Sequence, residues 1–305
     1  MNLAIIGCGE VGCSYVSAFL ETSRHSLMLC EQRPNSAASS LSVRAGKPIH
    51  KAPGAWLRDA DLVFSYVTGS VALDVNRAAL THMKPGALLA DFTTAAPDHK
   101  RQAAVEAHSH NIQFVDVVIM GAIALTGSRT PLLCAGEGAD RINELMTELG
   151  APVRVLENAA AGDAASLKLL RTIFTKGLEA LAVECLVAAE LKGVRQQLYE
   201  VLSDIDRTPL KDFLEALIRT HVVHAGRRMH EVAEAEEQLR LAGLPVQVLP
   251  GVRALFAQTL ETLGRQPILD PAPSSEFALN WLLRTRLTKS VADCSEPKKR
   301  TPTND

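Results

Sequence analysis

The 305-residue chain contains no apolar run long enough to cross a membrane, which needs about 20 residues of helix. It also lacks an excess of either charge. Lys and Arg number 32 against 34 Asp and Glu, a net charge of −2. Proteins dedicated to nucleic acids or other polyanions carry a strong basic excess, so that class is excluded. There is no CxxC pair, and Cys8, Cys13, Cys30, Cys134, Cys185 and Cys294 show no zinc-type spacing with histidine. Six cysteines scattered over a chain this long fit free thiols in a reducing cytoplasm better than a disulfide framework. No metal site is expected. No basic segment with a cleavage site precedes the first apolar run, so no secretory signal is expected. There is no internal repeat of fixed period. What remains is ordinary: 47% hydrophobic and 22% charged residues, enough apolar material to exclude a disordered chain. The length allows about two domains.

The texture of the chain changes near residue 158. Before it, short apolar runs alternate with helical stretches. Candidate strands are 3–6, 26–30, 62–67, 87–91, 113–117, 132–135 and 153–156. Candidate helices are 10–22, 36–46, 70–83, 98–109 and 138–149. Runs apolar on both sides suit parallel strands covered by helices, and the alternation implies right-handed βαβ units in a doubly wound parallel sheet. After residue 158 strand-like runs vanish. Residues 164–191 read as one long helix, apolar around much of its circumference and therefore expected to be buried between other elements. Further helices are expected at 194–203, 209–219, 221–243, 250–263 and 275–287. The expected organisation is an α/β domain over 1–157, an all-helical substrate and dimerisation domain over 158–292, and a polar, disordered tail over 293–305.

Gly7-Cys8-Gly9-Glu10-Val11-Gly12 is a G-x-G-x-x-G placed after an apolar strand and at the start of a helix. That context is what a dinucleotide-binding Rossmann turn requires. Gly7 permits the tight turn, Gly9 lets the backbone approach a pyrophosphate, and Gly12 lets helix and strand pack closely. The helix N-terminus then offers free N–H groups to the phosphates. Glu31 follows Gly12 by 19 residues, at the end of the second strand. A carboxylate about 20 residues on is placed to bind the ribose hydroxyls of NAD and to repel the 2′-phosphate of NADP. Arg33, two positions later, argues the other way. The expected cofactor is NAD, with NADP as the alternative.

With these residues in place the chain resembles the 6-phosphogluconate dehydrogenase and β-hydroxyacid dehydrogenase superfamily. Leu62–Thr68 is similar to the family's fourth strand, whose end, here Val67 and Thr68, touches the adenosine side of the cofactor. Asp91-Phe92-Thr93-Thr94-Ala95-Ala96-Pro97 resembles the D-x-S-T-x-x-P loop beside the nicotinamide ribose, with Thr93 and Thr94 supplying hydroxyls. Gly162-Asp163-Ala164-Ala165-Ser166-Leu167-Lys168 looks like the G-x-G-x-x-x-K start of the family's long interdomain helix, which makes Lys168 the catalytic lysine. Lys176 is the competitor, eight residues on and roughly 80° around the helix. The resemblance implies a substrate between the two domains and a homodimer through the helical one.

Two departures bear on the substrate. Met120-Gly121-Ala122 stands where the family carries an S-G-G loop, so the serine hydroxyl is replaced by a thioether. Arg171 and Thr172 occupy the turn after Lys168 where asparagine is usual. The run from Thr220 to Leu241 looks like a less-characterised C-terminal domain that accompanies this nucleotide domain in many bacterial proteins. On it His224 and Arg228 form an i,i+4 pair, able to recognise a carboxylate or phosphate or to lie on a solvated face. The expected activity is hydride transfer between a nicotinamide cofactor and a hydroxy acid, or the corresponding aldehyde or keto acid. Lys168 acts in it as acid and base. The alternatives are an imine reductase of the same architecture and a non-catalytic NAD(P)-binding redox sensor.

Overall fold

The computed structural model describes residues 1–22 and 24–293. The chain divides into two compact units, one from Met1 to Phe174 and a second from Thr175 onward.

The first unit is a single eight-stranded sheet covered by helices on both faces. Its elements run β1 (Asn2–Ile6), α1 (Glu10–Thr22), β2 (Ser26–Cys30), α2 (Ser36–Ala45), β3 (Ile49–His50), β4 (Leu62–Ser65), α3 (Ala72–Leu80), β5 (Leu88–Asp91), α4 (Pro97–Ser109), β6 (Gln113–Ile119), α5 (Ile123–Thr126), β7 (Leu132–Ala135), α6 (Ala139–Glu148) and β8 (Val153–Val155). The strand order is β3-β2-β1-β4-β5-β6-β7-β8. The chain direction across the sheet reverses between β2 and β4, on either side of β1, and that switch point is where doubly wound sheets bind ligands.

The strands form because both of their faces are apolar. Leu3 and Ile5 pack with Tyr15, Val16 and Phe19 of α1, while Ala4 and Ile6 join the opposite core with Leu80, Ala103 and Ala107. Local chemistry sets the helix ends. Asn35 caps α2 by accepting from the Ala38 N–H at 2.8 Å, and Gly46 closes it in the left-handed conformation. Pro97 opens α4, where its missing N–H costs nothing.

In this first unit two features differ from the sequence reading. β7 runs antiparallel to β6, because the connection from Met120 to Pro131 is short and holds only one turn of α5 in place of a full crossover helix. An antiparallel neighbour needs no crossover. The two-residue β3 has no counterpart in the expected strands; it is too short to leave a pattern.

The long helix α7 (Asp163–Leu191) begins in the first unit. It was expected to be buried, but Leu169, Leu170, Ile173, Leu178, Val183 and Leu191 are exposed in the chain. The second unit continues with α8 (Arg195–Val201), α9 (Ser203–Asp206), α10 (Leu210–Leu241), α11 (Leu249–Arg265) and α12 (Ser275–Asp293). α10 is one helix where the sequence suggested two. The Thr220 hydroxyl donates to the Ala216 carbonyl one turn back, so the polar Thr220-His221 pair does not interrupt the helix. Val222, Ala278 and Leu282 form the small core between α10 and α12. The polar tail from Ser295 lies outside the described residues. Among the described residues, no helix is long and apolar enough to cross a membrane.

Candidate functional site

The carboxyl ends of β1, β2 and β4 open on a cleft of about 400 Å³. Gly7, Gly9, Glu31, Val67 and Thr68 line it, together with Cys30, Lys51 and Tyr66. The glycine spacing has a direct geometric cause. Gly7 has φ +93°, and a Cβ there would stand 2.8 Å from the Tyr66 backbone. A Cβ on Gly12 would stand 1.9 Å from the Gly7 carbonyl oxygen. A Cβ on Gly9 would meet nothing within 4 Å. The first and last glycines therefore let the turn close, and the middle one leaves open space at the start of α1. A dinucleotide pyrophosphate fits such an opening.

Glu31 is tied to the fingerprint turn. Its carboxylate accepts from the Cys8 N–H at 2.8 Å and from the Arg33 N–H at 3.0 Å. Each carboxylate oxygen keeps a further lone pair for a ribose hydroxyl. The Glu31 N–H in turn donates to His50 on β3, which brings Lys51 to the cleft wall. Arg33 is exposed. Burial pushes the Cys8 thiol of the turn and the Cys30 thiol at the end of β2 up to about 12, so neither is a thiolate nucleophile at neutral pH.

The Asp91–Pro97 loop follows β5. Thr93 is buried, and its hydroxyl accepts from the Ala95 N–H at 3.2 Å, which shapes the loop. Thr94 is exposed, and its backbone lies close to Gly69. Asp91 accepts from Thr93 N–H and from Asn76 Nδ2, each at 2.8 Å.

Beneath this loop lies a group that the sequence reading missed. Lys100 on α4 is wholly buried. Its Nζ donates to Asp116 Oδ1 at 2.7 Å and to the Asp91 carbonyl at 3.0 Å, with Asp91 Oδ1 3.7 Å away. The second oxygen of Asp116 accepts from the Gly162 N–H just before α7 at 3.0 Å and from the Ala165 N–H in its first turn at 2.9 Å. One turn further along α7 stands Lys168, half-buried. Burial lowers its proton affinity and Lys100 lowers it further, against the opposing pull of Asp116. Lys176, the competing lysine, is exposed and paired with Glu179 at 2.5 Å.

The other candidates are more dispersed. Met120 follows β6 and is partly buried beside Val118 and Ala165. Gly121 and Ala122 are exposed. Arg171 is exposed on α7, and the Thr172 hydroxyl is engaged with the Lys168 carbonyl at 2.9 Å. In the second unit His224 is exposed, whereas Arg228 turns to the Thr220 hydroxyl at 2.9 Å. His221, on the inner side of α10, meets Thr259 at 2.8 Å and the Phe256 ring. Burial, then Arg286 and Arg228, hold its proton affinity below the ordinary value.

Residues 2–174 match the family described as the NAD binding domain of 6-phosphogluconate dehydrogenase. Residues 189–259 match a domain of unknown function, DUF1932. An uncharacterised 28.5 kDa protein of Methanothermus fervidus is 26% identical over 237 residues, covering 78% of this chain and 90% of the other. Among solved structures, an imine reductase of Bacillus cereus BAG3X2 superposes with a TM-score of 0.71 at 15% identity, over 93% of this chain and 99% of the other. The 3-hydroxyisobutyrate dehydrogenase of Mycobacterium tuberculosis, solved with L-serine, gives 0.58 at 18% identity, over 84% and 92%. At these identities the two structures share a fold with this chain.

Proposed function

Because the chain belongs to the family built on the NAD binding domain of 6-phosphogluconate dehydrogenase, we propose that it is an NAD(P)-dependent oxidoreductase that interconverts a hydroxy acid and its carbonyl form. The observation that carries this reading is Lys168, half-buried and discouraged from protonation by burial and by Lys100. Gly7, Gly9, Glu31, Val67 and Thr68 would hold the dinucleotide, and its bound nicotinamide supplies or accepts the hydride. Lys168 holds the substrate oxygen, takes its proton in the oxidative direction and returns it in the reductive one. Arg171 and Thr172 lie on the same helix just beyond it and are the substrate-side candidates in this unit. Glu31 favours NAD. Arg33, and Lys51 on the cleft wall, are the cations that would favour NADP, and parallel titration with NADH and NADPH decides between them.

The sign of the pH dependence follows from the lowered proton affinity. The neutral amine is the base, so oxidation accelerates as pH rises through a value below that of an ordinary lysine. Reduction, which needs the ammonium, slows through the same value. The test is turnover of hydroxy acids, aldehydes and imines followed at the nicotinamide absorbance band. Wild type is expected to turn over a hydroxy acid, and Lys168→Ala to lose about 10²–10⁴ in rate. Cofactor binding without turnover of any of these compounds would support a sensor instead. Turnover of imines alone would move the imine reductase reading ahead. Met120 favours that second reading, since a thioether does not bind a substrate carboxylate and an imine need not carry one.

The exposed apolar residues of α7 support a homodimer in which a second copy covers this helix.

A further inference from the structure

A buried charged pair is costly, and apolar residues of similar volume usually fill such a site as well or better. Lys100 and Asp116 are both without solvent contact, yet the nucleotide cleft does not use either. Their partners show what they hold together. Lys100 collects oxygen atoms from the end of β5 and the middle of β6: the Asp91 carbonyl, Asp116 Oδ1 and, at 3.4 Å, the Val117 carbonyl. Asp116 divides its two oxygens between Lys100 and the opening N–H groups of α7. Gly162, just before α7, has φ +93° and would press a Cβ to 2.8 Å from the Pro97 carbonyl. The starts of α4 and α7 are thus closely packed over this pair, and Lys168 rides on the next turn.

We propose that the enclosed Lys100–Asp116 pair is a positioning element for Lys168: Lys100 anchors Asp116, and Asp116 fixes the first turn of α7 one turn before Lys168. The inference rests on the reading of Lys168 as the proton-handling group. The pair acts through Lys168 and is not itself catalytic. The other charged groups about the first turns of α7 are Arg101 of α4, shared between Asp98 at 2.8 Å and Asp163 at 3.5 Å, and Arg171 of α7. Neither is enclosed, so water screens both. Burial lowers the proton affinity of Lys168 most, and of the two enclosed charges Lys100 lowers it further while Asp116 raises it.

The two charges act on Lys168 with opposite sign, and a merely structural pair would not. Competitive labelling with acetic anhydride across pH, read by mass spectrometry of the peptide containing Lys168, gives the titration of that amine without any substrate. In wild type Lys168 is expected to become reactive at lower pH than exposed Lys211, and Lys100 to stay unreactive. Lys100→Met is expected to raise the Lys168 midpoint by about one pH unit, and Asp116→Asn to lower it by a similar amount. Asp91, 3.7 Å away, remains in the second variant as an acidic neighbour of Lys100. Thermal melts identify a variant that has lost its fold. If both variants fail to fold, the wild-type labelling still tests the lowered proton affinity on which the proposal stands, and a Lys168 midpoint equal to that of Lys211 overturns it. Shifts of the same sign, or none, in folded variants overturn it too. Unimpaired turnover by Lys168→Ala would sink the catalytic reading alone, because the labelling needs no turnover.

Discussion

Gly9 and Gly12 stand three residues apart, and a methyl group added at each meets different surroundings. At Gly12 it collides with the Gly7 carbonyl at 1.9 Å, so Gly12→Ala must push α1 away from the turn. A loss of about 1–3 kcal/mol in thermal or urea unfolding is expected, together with weaker cofactor binding. At Gly9 the methyl group enters open space. Gly9→Ala is expected to change stability by less than about 0.5 kcal/mol while still weakening NADH or NADPH binding by fluorescence titration. Equal losses of stability in both variants would remove the geometric account of the turn. These glycines were legible in the sequence because a turn is local: three glycines, a preceding apolar strand and a following helix suffice. Lys100 was not. It sits in Pro97-Asp98-His99-Lys100-Arg101-Gln102, a polar stretch that reads as a solvated helix face. Its burial depends on Asp91 and Asp116, residues of neighbouring strands that meet only when the sheet is assembled.

Among the helices, α11 depends on a residue far away in the chain. Its first N–H groups, those of Gln247, Val248 and Leu249, all point at the Glu184 carboxylate of α7, at 2.7, 2.9 and 3.2 Å. Partial burial raises the proton affinity of this carboxyl, but the three donors outweigh it and the net shift is downward. A depressed carboxylate stabilises the fold above its unfolded-state value and loses that contribution as pH falls through the folded one. Glu184→Gln is therefore expected to cost about 1–2 kcal/mol at neutral pH and progressively less in acid, measured by thermal unfolding across pH 3–7. A pH-independent difference would show that the charge is not what caps the helix. No short-range signal announces this cap, since Gln247 follows Glu184 by 63 residues. The same limit explains the single α10. Polar residues at 220 and 221 suggest a break when only neighbours are considered, and the Thr220 hydroxyl bond back to Ala216 removes the reason for one.

At the scale of the whole molecule, the outstanding question is what covers α7. Ile173 is 71% exposed and Leu170 is 60% exposed, and apolar faces of this extent are rare on monomers. Light scattering is expected to give twice the mass of one chain. Ile173→Asp is expected to shift the population toward the single-chain mass while the described cores stay intact. A monomeric wild type would rule out the homodimer. The alternation of strands and helices, and the change of texture near residue 158, were legible because apolar periodicity survives in the sequence. The exposure of α7 was not, because an apolar helix reads alike in sequence whether its own chain or another covers it.

The order of the strands also sets a schedule for folding. β1 pairs on one side with β2 and on the other with β4, so that Leu3 lies beside Leu62. Parallel pairings over such separations are slow to form. On a ribosome adding about 5–20 residues per second, the Gly7–Gly12 turn is made long before Tyr66 arrives to wall it. For several seconds of synthesis the nascent chain carries a nucleotide turn with one side missing. Ligand binding can therefore stabilise this domain only after the fourth strand has docked.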